Sequence, residues 1–208
     1  MNQLPRLYPI LDSVVAASRG HDILHAANEL IDAGVEILQF RHKSFFSREI
    51  FETIEQLAAL CRDAKIPFVM NDRADLAVLA GAWLHLGQED LPPSAARRVT
   101  GPDTITGLST HNEAQLRAAA SEPVDYLALG PIFGTASKQN PDPVVGLDEL
   151  RRLRPLTDLQ LVAIGGITRE NARSVVEAGA DSIALIGDLF PHDGKIRARA
   201  KEWLQILK

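Results

Sequence analysis

Short apolar runs alternate along this chain with longer stretches in which apolar side chains return every third or fourth position. The short runs cover 7–11, 35–40, 66–70, 82–86, 104–108, 124–129, 159–164 and 181–186, and each gives way to polar or glycine residues. Runs of that length, bounded by such residues, read as buried strands. Helical spacing occupies 23–33, 47–64, 73–80, 113–120, 147–153, 169–178 and 196–207, with a weaker pattern at 95–99. Ile23, Ala27, Leu30 and Ile31 illustrate it, sharing one helical face. Ser47 and Thr168 are suited to cap the helices that follow them.

One local pattern recurs: a helix end, Ala-Gly, then the next apolar run. It occurs at Gly34, Gly81 and Gly179, spaced about one and two times the same interval. Glycine takes the left-handed conformation that closes a helix. Eight strand–helix units of roughly two dozen residues each fit a closed (β/α)8 barrel spanning residues 1–208 as a single domain. An open doubly wound sheet is the competing architecture, but no glycine-rich fingerprint follows the first strand.

Composition narrows the function classes. The chain has 208 residues, 46% hydrophobic, with a net charge of −5. That balance gives no general basis for binding nucleic acid or an anionic membrane, so any anion site must be a local cluster of Lys and Arg. The single cysteine, Cys61, lies in a helical pattern and reads as a small core residue. No signal peptide or membrane-length run is visible, so the expected location is cytoplasmic.

In such a barrel, chemistry gathers at the C-terminal ends of the strands. The second strand brings Gln39, Arg41 and Lys43 there, two residues apart and therefore on one face. The third brings Asn71 and Asp72, the fourth His85 and then Asp90, and the fifth Ser109. The sixth opens into a long connection, 131–146, carrying Thr135, Ser137 and Lys138; its length over the rim suggests a lid. The seventh and eighth end in Gly165-Gly166 and Ile186-Gly187. Asp72 and Asp90 suit a Mg²⁺ ion, which needs one or two carboxylates plus substrate phosphates. The alternative reading has Asp72 capping the next helix and Asp90 opening a turn before Pro92. With Arg41, Lys43 and Lys138 nearby, the carboxylates suggest a diphosphate bridged by the metal. The glycines after strands seven and eight suggest a second phosphate site, made by backbone N–H groups. Two phosphate sites imply two phosphorylated small-molecule substrates.

These residues resemble the thiamine phosphate synthase family. The resemblance rests on Gln39-x-Arg41-x-Lys43, Asn71-Asp72, His85-Leu86-Gly87-Gln88-Glu89-Asp90, Gly130-Pro131-Ile132-Phe133 with Thr135-x-Ser137-Lys138, and Ile164-Gly165-Gly166-Ile167. It implies a transferase that joins hydroxymethylpyrimidine diphosphate to a thiazole phosphate, giving thiamine phosphate and pyrophosphate. It also implies Mg²⁺ on Asp72 and Asp90, and a diphosphate held by Arg41, Lys43, Asn71 and Lys138. Gln39 and Ser109 would serve the pyrimidine side, and His85 would also bind substrate. Thr135 and Ser137 would bind in the lid, and Gly166, Ile186 and Gly187 would bind the thiazole phosphate. Catalytic roles would fall to Lys138, Arg41, Lys43 and Ser109. Position 187 departs from the pattern, with Gly where the family often has Ser. Position 42 is His where an acidic residue is common. A homo-oligomer is compatible with the sequence. Three other readings stay open: a thiazole tautomerase, a non-catalytic phosphate-ligand sensor on the same barrel, and a phosphosugar isomerase.

Overall fold

The computed structural model describes residues 3–134 and 142–208. Its strands are β1 (Leu7–Asp12), β2 (Leu38–Arg41), β3 (Phe68–Asn71), β4 (Trp83–Leu86), β5 (Thr106–Thr110), β6 (Tyr126–Leu129), β7 (Gln160–Ile164) and β8 (Ser182–Leu185). All are parallel, and each pairs with the next. β8 pairs back onto β1 (Leu7 beside Ile183, Pro9 beside Leu185), which closes the barrel. Closure sorts the side chains of every strand into two layers. Tyr8, Ile10, Val69, Tyr126, Ala128, Val162 and Ala184 face the interior. Their neighbours in sequence, among them Leu7, Leu11, Phe40, Met70, Leu84, Leu86 and Leu127, face the helices and form the larger core.

The outer ring consists of α1 (Ser13–Ser18), α2 (Ile23–Ala33), α3 (Arg48–Asp63), α4 (Ala74–Ala80), α5 (Pro93–Thr100), α6 (Glu113–Ala119), α7 (Gly146–Leu153), α8 (Ala172–Glu177) and α9 (Ile196–Ile206). Four helices that lead directly into a strand end alike. Gly34, Lys65, Gly81 and Gly179 all have positive φ. The residue after each returns its N–H to a carbonyl five residues back: Val35 to Leu30, Ile66 to Cys61, Ala82 to Ala77 and Ala180 to Val175. This double-bonded helix stop satisfies orphan carbonyls and tucks an apolar residue under the last turn. It explains the recurring Ala-Gly signal. It also explains why the second and third strands begin later than the apolar runs suggested: Val35 and Ile66 belong to helix stops.

Three expectations are corrected. Two helices follow β1, because Asp12 accepts from the N–H groups of Val14 and Val15 and nucleates α1 at once. The helix expected at 169–178 starts only at Ala172. Thr168 does not cap it; Asn171 folds back instead, accepting from the Thr168 N–H at 2.8 Å. The weak pattern at 95–99 is a full helix, α5, opened by Pro93 at its first position. Among the described residues, no helix is long and apolar enough to cross a membrane.

Candidate active site

The C-terminal ends of the strands surround a cavity of about 250 Å³. Gln39, Arg41, Asn71, His85, Ser109, Gly166, Ile186 and Gly187 all line it. Lys43, Asp72 and Asp90 form a cluster at the ends of β2, β3 and β4 beside it. Thr135, Ser137 and Lys138 lie outside the described residues.

The cationic side is built on two ion pairs. Arg41, the last residue of β2, reaches Asp12 at the end of β1. Asp12 is 2% exposed; one of its oxygens caps α1 and the other binds the guanidinium. Lys43 pairs with Asp72. Asp72 has φ of 65°, a strained conformation for a residue with a side chain, and its N–H donates to His85 O at 2.8 Å. Its carboxylate leaves α4 uncapped, since that helix begins at Ala74 after Arg73 with no side-chain cap. The capping alternative for Asp72 therefore falls. Asp90 does close a turn, accepting from Gly87 N–H at 2.7 Å, and its carboxylate also meets that of Asp72. Burial, reinforced by Asp90, pushes the Asp72 carboxyl up to about 6 against the opposing pull of Lys43. Two carboxylates share one place with a single lysine to offset them, which is the donor set a hard cation fits. Among the described residues no group of three or more His, Cys, Asp or Glu side chains could hold a metal. That suits Mg²⁺ completed by substrate oxygens and water, and not an all-protein cage.

The interior side is a chain of hydrogen bonds. Gln39 Nε2 donates to the Tyr8 hydroxyl at 3.4 Å, and the Tyr8 and Tyr126 hydroxyls are 2.8 Å apart. Tyr126 lies 3.1 Å from His85 Nδ1, and His85 Nε2 lies 2.9 Å from Ser109 Oγ. Burial lifts both tyrosines above their ordinary range, so both hydroxyls keep their protons. Burial lowers His85 to about 4, so the ring is neutral at pH 7. With Gln39 donating, only one direction satisfies every group. Tyr8 donates to Tyr126, Tyr126 to His85 Nδ1, and the His85 Nε2–H to Ser109 Oγ. The Ser109 proton is then free to donate into the cavity. Gly107 makes this possible, since a Cβ there would stand 2.1 Å from the Tyr126 ring. Asn71 Nδ2 is buried and has no hydrogen-bond partner among the described residues. An orphaned donor on a cavity wall is a vacant ligand contact.

The opposite wall is backbone. Gly165 and Gly166 have φ of 97° and 64°, and a Cβ on Gly166 would stand 2.5 Å from Gly134 O. Only glycine fits so close to the 131–134 segment, whose Ile132 and Phe133 N–H groups pair with Ile164 O and Gly165 O. Ile186 and Gly187 lead into a 3₁₀ turn, Gly187–Leu189.

Several site residues escaped the sequence reading. Asp12 was legible only as a polar strand end. His111 lines the cavity, where its Nδ1 pairs with Gly130 O and its Nε2 lies 3.5 Å from Asp142. Tyr8 and Tyr126 read as ordinary core aromatics. His42, one of the departures from the family pattern, is buried beside Phe40 and Phe46 and bonds Ser13 Oγ at 2.7 Å.

Comparison with known proteins identifies the family. A family model described as thiamine monophosphate synthase matches residues 7–189. The chain is 51% identical to the thiamine-phosphate synthase of Koribacter versatilis over 208 residues, covering 99% of this chain and 97% of that one. It is 42% identical to that of Natronomonas pharaonis over 180 residues, 85% of this chain and 84% of the other. The solved thiamine phosphate pyrophosphorylase from Pyrococcus furiosus superposes with a TM-score of 0.85 at 28% identity, covering 97% of this chain and 95% of that one. A match running from the start of β1 through the turn after β8 takes in every strand end of the barrel, and the chain accordingly belongs to the thiamine monophosphate synthase family of transferases.

Proposed function

We propose that this protein condenses hydroxymethylpyrimidine diphosphate with a thiazole phosphate, or its carboxylate, in a Mg²⁺-dependent reaction that releases pyrophosphate. The observation that carries the reading is a pair of different residue groupings around one cavity, each suited to an anion. One is the Arg41, Lys43, Asp72 and Asp90 cluster; the other is the glycine wall at Gly165-Gly166 and Gly187.

In this reading the bond between the pyrimidine methylene carbon and the diphosphate oxygen breaks first. The thiazole ring nitrogen then donates its lone pair to that carbon. No proton has to leave the attacking nitrogen, so the protein needs no general base. Arg41 and Lys43 hold the diphosphate and take up its growing charge, with Lys138 as a further cation from the connection after β6. Asn71 Nδ2 gives the diphosphate the hydrogen bond that the donor otherwise lacks. Ser109 donates to the pyrimidine ring, and Gln39 and His85 fix that ring through the tyrosine chain. Thr135 and Ser137 bind substrate in the lid region, and Gly166, Ile186 and Gly187 bind the thiazole phosphate. Asp72 and Asp90 would hold Mg²⁺, whose charge favours departure of the diphosphate. The pyrimidine cation would be trapped by water, so the connection after β6 excludes solvent as it closes.

The test supplies both substrates and Mg²⁺ to the purified protein and measures pyrophosphate and thiamine phosphate together. Equal amounts are expected, abolished by EDTA and at least about a hundredfold slower in Asp72→Ala. Thiazole phosphate that binds but never turns over would instead favour the tautomerase or sensor reading.

A further inference from the structure

Arg19 is a cation without a carboxylate. It lies between α1 and α2, and among the described residues it forms no ion pair. Its Nη1 donates to Gly187 O at 2.5 Å and Phe190 O at 2.8 Å, 168 and 171 residues away. His21 ties the same turn down, with its Nε2 3.0 Å from Pro191 O. The guanidinium is therefore held over the end of β8, although nothing in the local sequence aims it there. Its Nη2 makes no hydrogen bond among the described residues.

The space beside that free nitrogen is unusual. A Cβ on Gly187 would stand 3.4 Å from Arg19 Nη2 and 4.0 Å from Cζ. Chain neighbours aside, no other atom of the described residues lies within 4 Å of that point. Gly187 also lines the cavity, together with Gly165, Gly166 and Ile186. Arg19 does not itself line the cavity, but its guanidinium lies within van der Waals reach of the point where a Gly187 side chain would begin. The nearest carboxylate along the chain, Asp188, is already balanced. It accepts from Arg199 Nη1 at 2.5 Å and Trp203 Nε1 at 2.7 Å, and lies 3.6 Å from Arg169. Among the described residues no negative charge claims Arg19.

We propose that Arg19 binds the phosphate monoester of the second substrate, its Nη2–H group completing the backbone site at Gly166 and Gly187. The proposal rests on the two-substrate reading above and names a residue of that second site. Two carbonyls hold Nη1, so the guanidinium is already ordered and loses little further freedom on binding an oxyanion. Charge-assisted bonds from Arg to phosphate are strong. Gly187 then has a reason of its own: it keeps clear the space through which the guanidinium reaches the ligand. A cation takes over the contact that a hydroxyl at this position would have made.

The experiment compares Arg19→Gln with the unaltered protein. Glutamine removes the charge and shortens the side chain by two bonds, so the uncharged thiazole alcohol serves as the control that separates lost strapping from lost anion binding. Calorimetry would measure binding of three probes: the thiazole phosphate, the matching thiazole alcohol, and inorganic phosphate. Arg19→Gln should weaken the thiazole phosphate and inorganic phosphate about tenfold or more. The alcohol should bind as before, and KM for the pyrimidine diphosphate should not move. Equal weakening of phosphate and alcohol would leave Arg19 as a structural strap and overturn the proposal, as would no change in either.

A second readout needs no variant. Phenylglyoxal labelling of the native protein, followed peptide by peptide, should slow at Arg19 when thiazole phosphate is present and not when the alcohol is. Labelling that ignores both would overturn the proposal even if Arg19→Gln failed to fold. Failure of the parent reading is distinct: the native protein would then release no pyrophosphate, while the phosphate probe would still report on Arg19.

Discussion

Asp12 shows how one buried carboxylate can serve two tasks that a substitution separates. One oxygen caps α1 and the other pairs with Arg41. Asp12→Asn keeps an oxygen for the cap and loses the charge. It should raise KM for the pyrimidine diphosphate about tenfold, with a smaller stability loss than Asp12→Ala. The alanine variant should be worse by about 1 kcal/mol, the worth of a lost cap. Steady-state kinetics and denaturant melts of both variants check this; equal KM in Asp12→Asn and the native protein would remove Asp12 from the site. Gly107 acts by having no side chain. Gly107→Ala should cost about 1–3 kcal/mol, because a methyl group would stand inside the Tyr126 ring position. The displaced tyrosine would release His85, so affinity for the pyrimidine should fall with stability in the same variant.

The helices repeat one way of stopping, and the exception makes a test. Of the stops that lead into a strand three use glycine, but α3 stops on Lys65 with φ of 57°. A side chain in that conformation costs about 1–2 kcal/mol, part of which glycine gives back through the freedom it adds to the unfolded chain. Lys65→Gly should therefore stabilise the protein by a few tenths to about 1 kcal/mol, read as a higher denaturant midpoint at unchanged slope. At this scale the sequence was mostly legible. Ala-Gly marked three stops, and α2 lies where its apolar period places it, at Ile23–Ala33. The errors have a common origin: Val35, Ile66 and Ala82 look like the start of a strand but pack under a helix end. Apolarity alone does not tell those two burials apart. The late start of α8 is of another kind, because the Thr168–Asn171 turn satisfies the backbone groups that a first helical turn would have used.

Two titrations of opposite sign act on the whole molecule. His85 falls from an ordinary 6.5 to about 4 because burial disfavours its charged form, with Asp90 opposing and Lys43 assisting. Its contribution is complete above pH 6.5 and is lost as pH falls through about 4, because the unfolded chain takes the proton first. The size is on the order of 3 kcal/mol. His85→Gln should flatten that limb of the stability curve, measured by denaturant melts between pH 4 and 8. Asp72 is raised to about 6, so without metal its contribution is present below 3.8 and is lost as pH rises through about 6. A divalent cation offsets that loss. Mg²⁺ should raise the melting temperature more at pH 8 than at pH 5, and the difference should vanish in Asp72→Ala. An equal effect of Mg²⁺ at both pH values would place the ion elsewhere.

By itself the sequence determined the eight strands, their order, most helix ends and which polar side chains stand at the rim. These follow from short-range rules: a period of two puts Gln39 and Arg41 on one face, and a period of two puts His85 opposite Leu84 and Leu86. Only the tertiary structure decided which rim residues meet. Closure of the barrel sets β1 beside both β2 and β8, which gives Arg41 its Asp12 and brings Arg19 over Gly187. It also puts Tyr8 against Tyr126 across the interior, and that contact sets the tautomer of His85 and frees the proton of Ser109. Such pairs lie from 29 to 168 residues apart. No local pattern encodes them, because they arise where a twisted sheet of fixed register returns to its first strand.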